Sequence, residues 1–391
     1  MLDLDGIAEF FTFGLTLDGK TMRKGLSIPP LLSMSDVENN GRAGIDDVYR
    51  ALKDSMERLI QPGAGLALSG GLDSRVVAGI TSELGEIPTF TWGYSNFEKK
   101  IAHKVASVLK LPHYVINADM RMNEENIEKL KYFVMKTGGT MSVHGLHIKT
   151  CLSERLKEHD INMIISAFGF DEINGSDFGY KVNSSQKFCD VFVKTYAHPW
   201  LPHEYQEIAK RNLNECCNGM AFSKIYPLIY VGNIYRDFKV EEWVTETTPT
   251  VNKEVMSTII SLPYKQRINK RMQKELLRRY FPKLYNIPYA MSGLSPFIPH
   301  LLHIYMRKLI RVLCGFVNQE KHRPLLTFDC QWLMRNSLPF MQELLFSNVP
   351  PFMSRKTLQK LIYRLKTKGS IRDGVFLDKL STYALLASQI N

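Results

Sequence analysis

The stretch Leu66-Ala67-Leu68-Ser69-Gly70-Gly71-Leu72-Asp73-Ser74-Arg75 decides how this chain is read. A short apolar run that ends in paired glycines and passes into helix-forming sequence reads as a strand turning into a helix. In an open α/β sheet, ligands bind outside the carboxyl ends of the strands. The first amides of a helix lack intrahelical partners, so such a turn is a ready anion site. Gly70 and Gly71 let the backbone close on phosphate oxygens without a Cβ in the way, and the hydroxyls of Ser69 and Ser74 add donors. Asp73 would repel a bare phosphate, so it makes chemical sense there only if a cation intervenes, most simply Mg²⁺. The competing reading is a plain strand-to-helix turn with Asp73 as a favourable first-turn acid. The spacing matches neither G-x-x-x-x-G-K-[ST] nor G-x-G-x-x-G.

Outward from this stretch the pattern alternates. Apolar residues at 3–4 spacing (Val48, Leu52, Met56, Leu59) predict a helix over Asp46–Leu59, stopped by Gln61-Pro62-Gly63-Ala64-Gly65. Leu66–Leu68 predicts a strand and Asp73–Leu84 a helix closed by Gly85. Further strands are expected at Pro88–Trp92, Pro112–Ile116 and Met163–Ser166, with helices over Glu98–Leu109 and near Glu124–Lys136 and Val143–Glu158. Strands alternating with helices of this length imply a parallel sheet with right-handed crossovers. The strand at Met163–Ser166 again ends in a loop, Ala167-Phe168-Gly169-Phe170-Asp171-Glu172. Beyond Tyr180 the segments Lys270–Tyr280, Leu301–Phe316 and Ser354–Lys366 read as amphipathic helices separated by prolines. The expected organisation is a lead-in over 1–47, a nucleotide-binding α/β unit over 48–181, and a mostly helical region over 182–391 that completes the acceptor site.

Composition sets the outer limits. With 391 residues, 45% hydrophobic and 23% charged, the chain has ordinary globular usage and ample length for a large core. The formal net charge of +11 suits a polyanion, and a nucleotide phosphate satisfies that sign as well as a nucleic acid does. Six cysteines without a C-x-x-C read as reduced thiols of a cytoplasmic protein. The N-terminus carries acids where a signal peptide carries basic residues, and the apolar stretch Leu301–Val317 is broken by Arg307, Lys308 and Arg311. No membrane segment is expected. His144 and His147 share helical spacing, but without a third ligand nearby they read as core or surface residues. The basic segment Ser354–Lys368 reads as a helix with Leu358, Leu361, Ile362 and Leu365 inward.

The segment Ser69–Ser74, SGGLDS, resembles the pyrophosphatase loop of the ATP α-hydrolases, enzymes that split ATP into AMP and pyrophosphate. Further segments in order make the chain similar to the synthetase domain of asparagine synthetases and their relatives. These are Ala8–Gly14 with Thr21 and Gly25, Thr89–Gly93, Lys110–His113, Ser166–Glu172 with Gly175 and Tyr180, Ser261–Pro263, and Asn286–Ala290. The resemblance implies a Rossmann-like α/β fold of the ATP pyrophosphatase type. It implies that Ser69, Gly70, Gly71, Asp73 and Ser74 hold pyrophosphate and its Mg²⁺, with Asp171 as the second metal-side carboxylate. Leu68, Trp92, Gly93 and Ser166 would surround the adenosine, although Trp92 could equally fill the core. The implied chemistry is attack of a substrate carboxylate on the α-phosphate of ATP, followed by displacement of AMP by ammonia or an amine.

The chain departs from that family in places. Full-length asparagine synthetases open with a glutaminase domain whose nucleophile is an N-terminal cysteine, whereas this sequence has no cysteine before Cys151. Own glutaminase activity is therefore not expected, and the nitrogen would be free ammonia, ammonia from a separate glutaminase, or an amine on another substrate. Phe168 stands where relatives carry a polar residue or a tyrosine, and a phenyl ring cannot accept a proton. Thr245–Asn252 aligns loosely with E-x-R-x-P-F-L-D but has Thr245 at the acidic and Thr247 at the basic position. The lysine expected near Ala290-Met291-Ser292-Gly293 is missing, although Lys270 or Lys274 could reach in. Glu172 reads either as a base or as a neighbour supporting the metal side. Two alternatives follow: a tRNA-modifying ATP α-hydrolase, suggested by the charge but lacking a reactive cysteine pair, and a nucleotide-binding partner subunit with weakened catalysis.

Overall fold

The computed structural model describes residues 1–30, 37, 41–93, 96–116, 122–174, 184–220, 225, 236, 238, 240–290, 292–299, 302, 303, 305, 306, 309, 330–367 and 371–390. At its centre lie β1 (Ala64–Ala67), β2 (Thr89–Thr91), β3 (His113–Val115), β4 (Met163–Ile165) and β5 (Thr245–Thr247), in the order β3-β2-β1-β4-β5. Every pairing is parallel, with Leu66 opposite Thr89 on one side and Ile165 on the other. The chain therefore builds outward from β1 through β2 to β3, then returns to start β4 on the other flank of β1. That reversal opens a crevice at the carboxyl ends of β1 and β4.

Alternation along each strand sends side chains to two different cores. Met163 and Ile165 join Leu66 in a cluster with Val48, Leu52 and Met56 of α2 (Ile45–Leu59) and Val76, Val77 and Ile80 of α3 (Leu72–Leu84). Ile164 points the other way, to Phe90, Val244, and Leu152 and Leu156 of α6 (Val143–Lys157). Both faces of the sheet are covered, which is why its central strands are apolar runs. Removing a fully buried side chain such as Leu66 or Ile165 from water contributes about 1.5–3 kcal/mol.

Helices α4 (Asn96–Leu109) and α5 (Glu124–Lys136) lie where the spacing predicts them. The sheet, however, takes its last strand from Thr245–Thr247, beyond residue 181. Thr-Glu-Thr is polar because this is a largely exposed edge strand, so no apolar run announces it. A second core joins α1 (Leu4–Phe13), α5 and α6 to three C-terminal helices, α12 (Cys330–Ser347), α13 (Arg355–Thr367) and α14 (Ile371–Ala387). In α13 the residues Leu358, Leu361, Ile362 and Leu365 are buried, as their spacing requires. A third cluster packs α1 on α8 (Ser185–Tyr196) and α9 (His203–Cys217). Gly175, Tyr180, Met291 and most of the segment Leu301–Val317 fall outside the described residues. Among the described residues no helix is long and apolar enough to cross a membrane.

Candidate active site

The loop after β1 is held by its own serines. Ser74 Oγ donates to the Ser69 carbonyl at 2.9 Å and lies 2.9 Å from Ser69 Oγ, while the Gly71 amide donates to Ser69 Oγ at 3.2 Å. Gly71 is the N-cap of α3 and provides no side-chain cap, so the first-turn amides of that helix keep their capacity for an anion. The glycine pair has a division of labour that the sequence does not reveal. A Cβ on Gly70 would come within 2.3 Å of Ala290 Cβ, whereas one on Gly71 would meet only Ser69 Oγ at 3.2 Å. Gly70 is thus required by close packing against Ala290 and Ile101, and Gly71 is the less crowded of the two.

Arg75, the last residue of the opening stretch, does the joining. Its fully buried guanidinium donates to the carbonyl oxygens of Gly70 at 2.9 Å, Leu284 at 3.3 Å, Ile287 at 2.7 Å and Pro288 at 2.5 Å. Burial pulls its pKa down to about 10, which leaves it charged at neutral pH. Sequence reading assigned Arg75 no role, and only its position directly after SGGLDS hinted at one.

Asp73 sits in the first turn of α3, and Asp171 in the first turn of α7 (Phe170–Asn174), the short helix after β4. The two come from different strand ends and converge on one nitrogen. Lys270 Nζ is 2.5 Å from Asp73 Oδ2 and also pairs with Asp171 Oδ1. Gln273 Nε2 donates to the other Asp73 oxygen at 2.7 Å. Gln273 and Lys270 belong to the start of α11 (Arg271–Tyr280) and the turn before it, which pack over the loop; α10 (Lys253–Ser261) lies upstream. Lys274, the other lysine considered from sequence, instead reaches the Ile298 carbonyl at 3.5 Å.

Electrostatics in this cluster are strongly coupled. Burial pushes the Asp73 carboxyl up, the Lys270 ammonium pulls it down, and the Asp171 carboxylate pushes it up again. For Lys270 burial works against the charge, but the carboxylates of Asp73 and Asp171 outweigh it and hold the ammonium above its ordinary value. Glu172 is pushed up to about 7, chiefly by burial, with the neighbouring charges of Asp171 and Asp73 adding to the effect.

A cavity of about 300 Å³ opens between α6 and the sheet. Trp92 and Ser166 line it together with Ala67, Ile148 and Leu152, and Lys149 and Glu246 supply its polar part. Those two charges lie 3.8 Å apart, and Lys149 also sits over the Trp243 ring. The positions assigned from sequence to the adenosine thus gather at one end of the sheet: Leu68 buried with its carbonyl accepting from Thr91 Oγ1, Trp92 and Ser166 at the cavity, and Gly93 turning the chain with φ +104°. Phe168 is fixed through its backbone, its carbonyl accepting from Thr248 Oγ1 and Thr250 Oγ1, both at 2.8 Å. The threonines around 245–252 therefore anchor the loop that carries Asp171.

Residues Asp73 and Asp171 fit a divalent cation on this geometry. One cationic nitrogen already lies within reach of both, and Mg²⁺ commonly takes one or two carboxylates plus substrate phosphates rather than a full protein cage. Among the described residues no group of three or more His, Cys, Asp and Glu side chains is arranged to hold a metal. His144 and His147 lie away from these acids, the amide of His144 donating to Asp378 Oδ1 and the His147 ring lying 3.8 Å from Cys151 Sγ.

A parallel sheet of order 3-2-1-4-5, with a glycine-serine loop after its first strand and an acid-bearing loop after its fourth, defines a Rossmann-like nucleotide-binding domain of the ATP pyrophosphatase class. Residues 47–224 match the family model described as asparagine synthase. Among solved structures, NMN synthetase from Francisella tularensis is similar at 16% identity, covering 46% of this chain and 75% of that chain with a TM-score of 0.22. No curated protein sequence gives a significant match.

Proposed function

We propose that the protein is an ATP-dependent, amide-forming ligase of the asparagine synthetase type. It adenylates a substrate carboxylate with release of pyrophosphate and passes the acyl group to ammonia or an amine. The observation that carries this reading is the convergence of Asp73 and Asp171 from the ends of β1 and β4 on one cation seat beside the free N-terminus of α3. Amides of that first turn, with Ser69 and Ser74, bind and orient the β- and γ-phosphates. Asp73 and Asp171 would hold Mg²⁺, which when bound neutralises charge on the departing pyrophosphate. The cavity lined by Trp92 and Ser166 takes the adenosine, which leaves the α-phosphate at the crevice between β1 and β4. Glu172, next to Asp171, is the candidate acceptor for the proton of an attacking amine, because Phe168 cannot take it. The substrate is a small-molecule or peptide carboxylate, the nitrogen comes from solution or from a separate glutaminase, and the site of action is the cytoplasm.

The deciding measurement is ATP–pyrophosphate exchange across a panel of carboxylic acids, repeated with ammonia, glutamine and simple amines to detect the amide. Exchange with at least one acid, lost in Asp73→Asn, is the expected result. Absence of exchange with every acid, together with unchanged nucleotide affinity in Asp73→Asn, would remove this reading.

A further inference from the structure

Lys270 is a cation that neither loop motif contains. Its Nζ lies 2.5 Å from Asp73 Oδ2 and also pairs with Asp171 Oδ1, so an ammonium already occupies the point where the two carboxylates meet. Two consecutive left-handed residues, Asn269 with φ +57° and Lys270 with φ +60°, deliver it there. Residues other than glycine hold that conformation where their surroundings over-determine it, which marks the turn as built for this placement. The lysine side chain is only 14% exposed, while that of Asp171 is 47% exposed, so the seat opens to solvent on the Asp171 side. Gln273 holds the second oxygen of Asp73, leaving both of its oxygens engaged.

We propose that Lys270 is a tethered counter-cation that fills the metal seat of the nucleotide-free protein, so that free divalent cation is excluded and the metal enters together with the nucleotide. This rests on the function proposed above only in taking Asp73 and Asp171 as the seat. A divalent ion arriving alone must separate a buried ammonium from both of its carboxylates, which is strongly unfavourable. Arriving with a nucleotide, it brings phosphate oxygens that accept from the same ammonium, so Lys270 exchanges partners instead of losing them. The lysine then faces the leaving pyrophosphate as a second positive charge.

Electron paramagnetic resonance of Mn²⁺ tests this without any turnover. In nucleotide-free buffer the wild-type protein is expected to leave the free Mn²⁺ signal undiminished, as is Lys270→Arg. Lys270→Met and Lys270→Gln are expected to bind Mn²⁺ at least about ten-fold more tightly, since one positive charge has left the seat. Wild-type protein that takes up Mn²⁺ alone as tightly as Lys270→Met overturns the proposal, and so does equal absence of uptake in both. If Lys270→Met melts in metal-free buffer, its Tm is followed against added Mn²⁺: recovery supports the proposal and no recovery overturns it. A parallel titration with α,β-methylene ATP addresses the nucleotide reading separately. Failure of the analogue to bring Mn²⁺ to the wild-type protein would count against that reading, whereas the nucleotide-free contrast still decides the role of Lys270.

Discussion

Arg75 Nη1 donates to the Ile287 carbonyl oxygen at 2.7 Å, across 212 positions of sequence, and so fastens the helix that follows the phosphate-type loop to the segment that packs over it. The same guanidinium satisfies the carbonyls of Gly70, Leu284 and Pro288. Arg75→Met fills similar volume but takes their donor from the Ile287 and Pro288 carbonyls, while those of Gly70 and Leu284 keep the amides of Ala290 at 3.3 Å and Ile287 at 3.2 Å. Each orphaned buried acceptor costs about 1–3 kcal/mol, and the losses overlap, so a total near 3 kcal/mol is expected. Urea denaturation reads this as a lower midpoint at unchanged slope, and an unchanged midpoint would show that the carbonyls find other donors.

The two glycines of the loop give a contrast. Gly70→Ala drives a methyl into Ala290 and is expected to destabilise by about 1–3 kcal/mol through overpacking. Gly71→Ala has an ordinary φ of −79° and asks only that Ser69 Oγ, 3.2 Å from the new methyl, give way by a few tenths of an ångström, so its stability loss should be clearly smaller than that of Gly70→Ala. Its nucleotide affinity should fall, because the new methyl stands where the backbone approaches the phosphates. Calorimetry of both variants checks the split. Equal stability losses would contradict the packing argument, and wild-type nucleotide affinity in Gly71→Ala would contradict the phosphate argument.

These residues also show how far a sequence can be read. The loop after β1, the acids of the second loop and the alternation of strands and helices were legible because local chemistry and hydrophobic period announce them. Strand β5 was not, since an exposed edge strand has no apolar run to find. Long-range partners were legible only in part: Lys270 and Lys274 both qualify as lysines that could reach in, and only the fold selects Lys270, 197 positions from Asp73. The sequence offers both glycines as room for phosphate, whereas a contact with Ala290 that depends on tertiary packing claims Gly70.

Lys379 predicts a pH dependence far from the candidate site. Its buried ammonium donates to the Phe11 carbonyl at 2.9 Å and to the Thr12 carbonyl at 3.5 Å, in the last turn of α1 where carbonyls lack intrahelical partners. Burial pulls its pKa down to about 7 from 10.5; Asp378 opposes that shift and Arg372 adds to it. Between those two values the unfolded chain holds a proton that the folded protein has released, so stability rises with pH there. The cost of keeping Lys379 charged inside is fully present below about pH 7 and is relieved as pH climbs toward 10.5. Its contribution to the slope is about 1.4 kcal/mol per pH unit. Urea midpoints at several pH values should therefore rise less steeply for Lys379→Met than for wild type, and parallel profiles would dismiss the assignment.

Trp92 separates the two roles open to an aromatic ring at the end of β2. The residue is half-buried and lines the cavity under α6 together with Ser166, so its ring has space on one side that a core residue would lack. A base stacked on an aromatic ring contributes about 1–3 kcal/mol, and Trp92→Leu should accordingly weaken adenine nucleotide binding by about ten-fold or more. Because Leu keeps an apolar surface toward Ala67 and Ile164, stability should change little. Isothermal titration with ATP and a denaturation curve on the same variant distinguish the cases. A stability loss with unchanged affinity would assign Trp92 to the core and move the adenosine out of this cavity, whereas weaker binding in a protein of unchanged stability would assign the ring to the nucleotide.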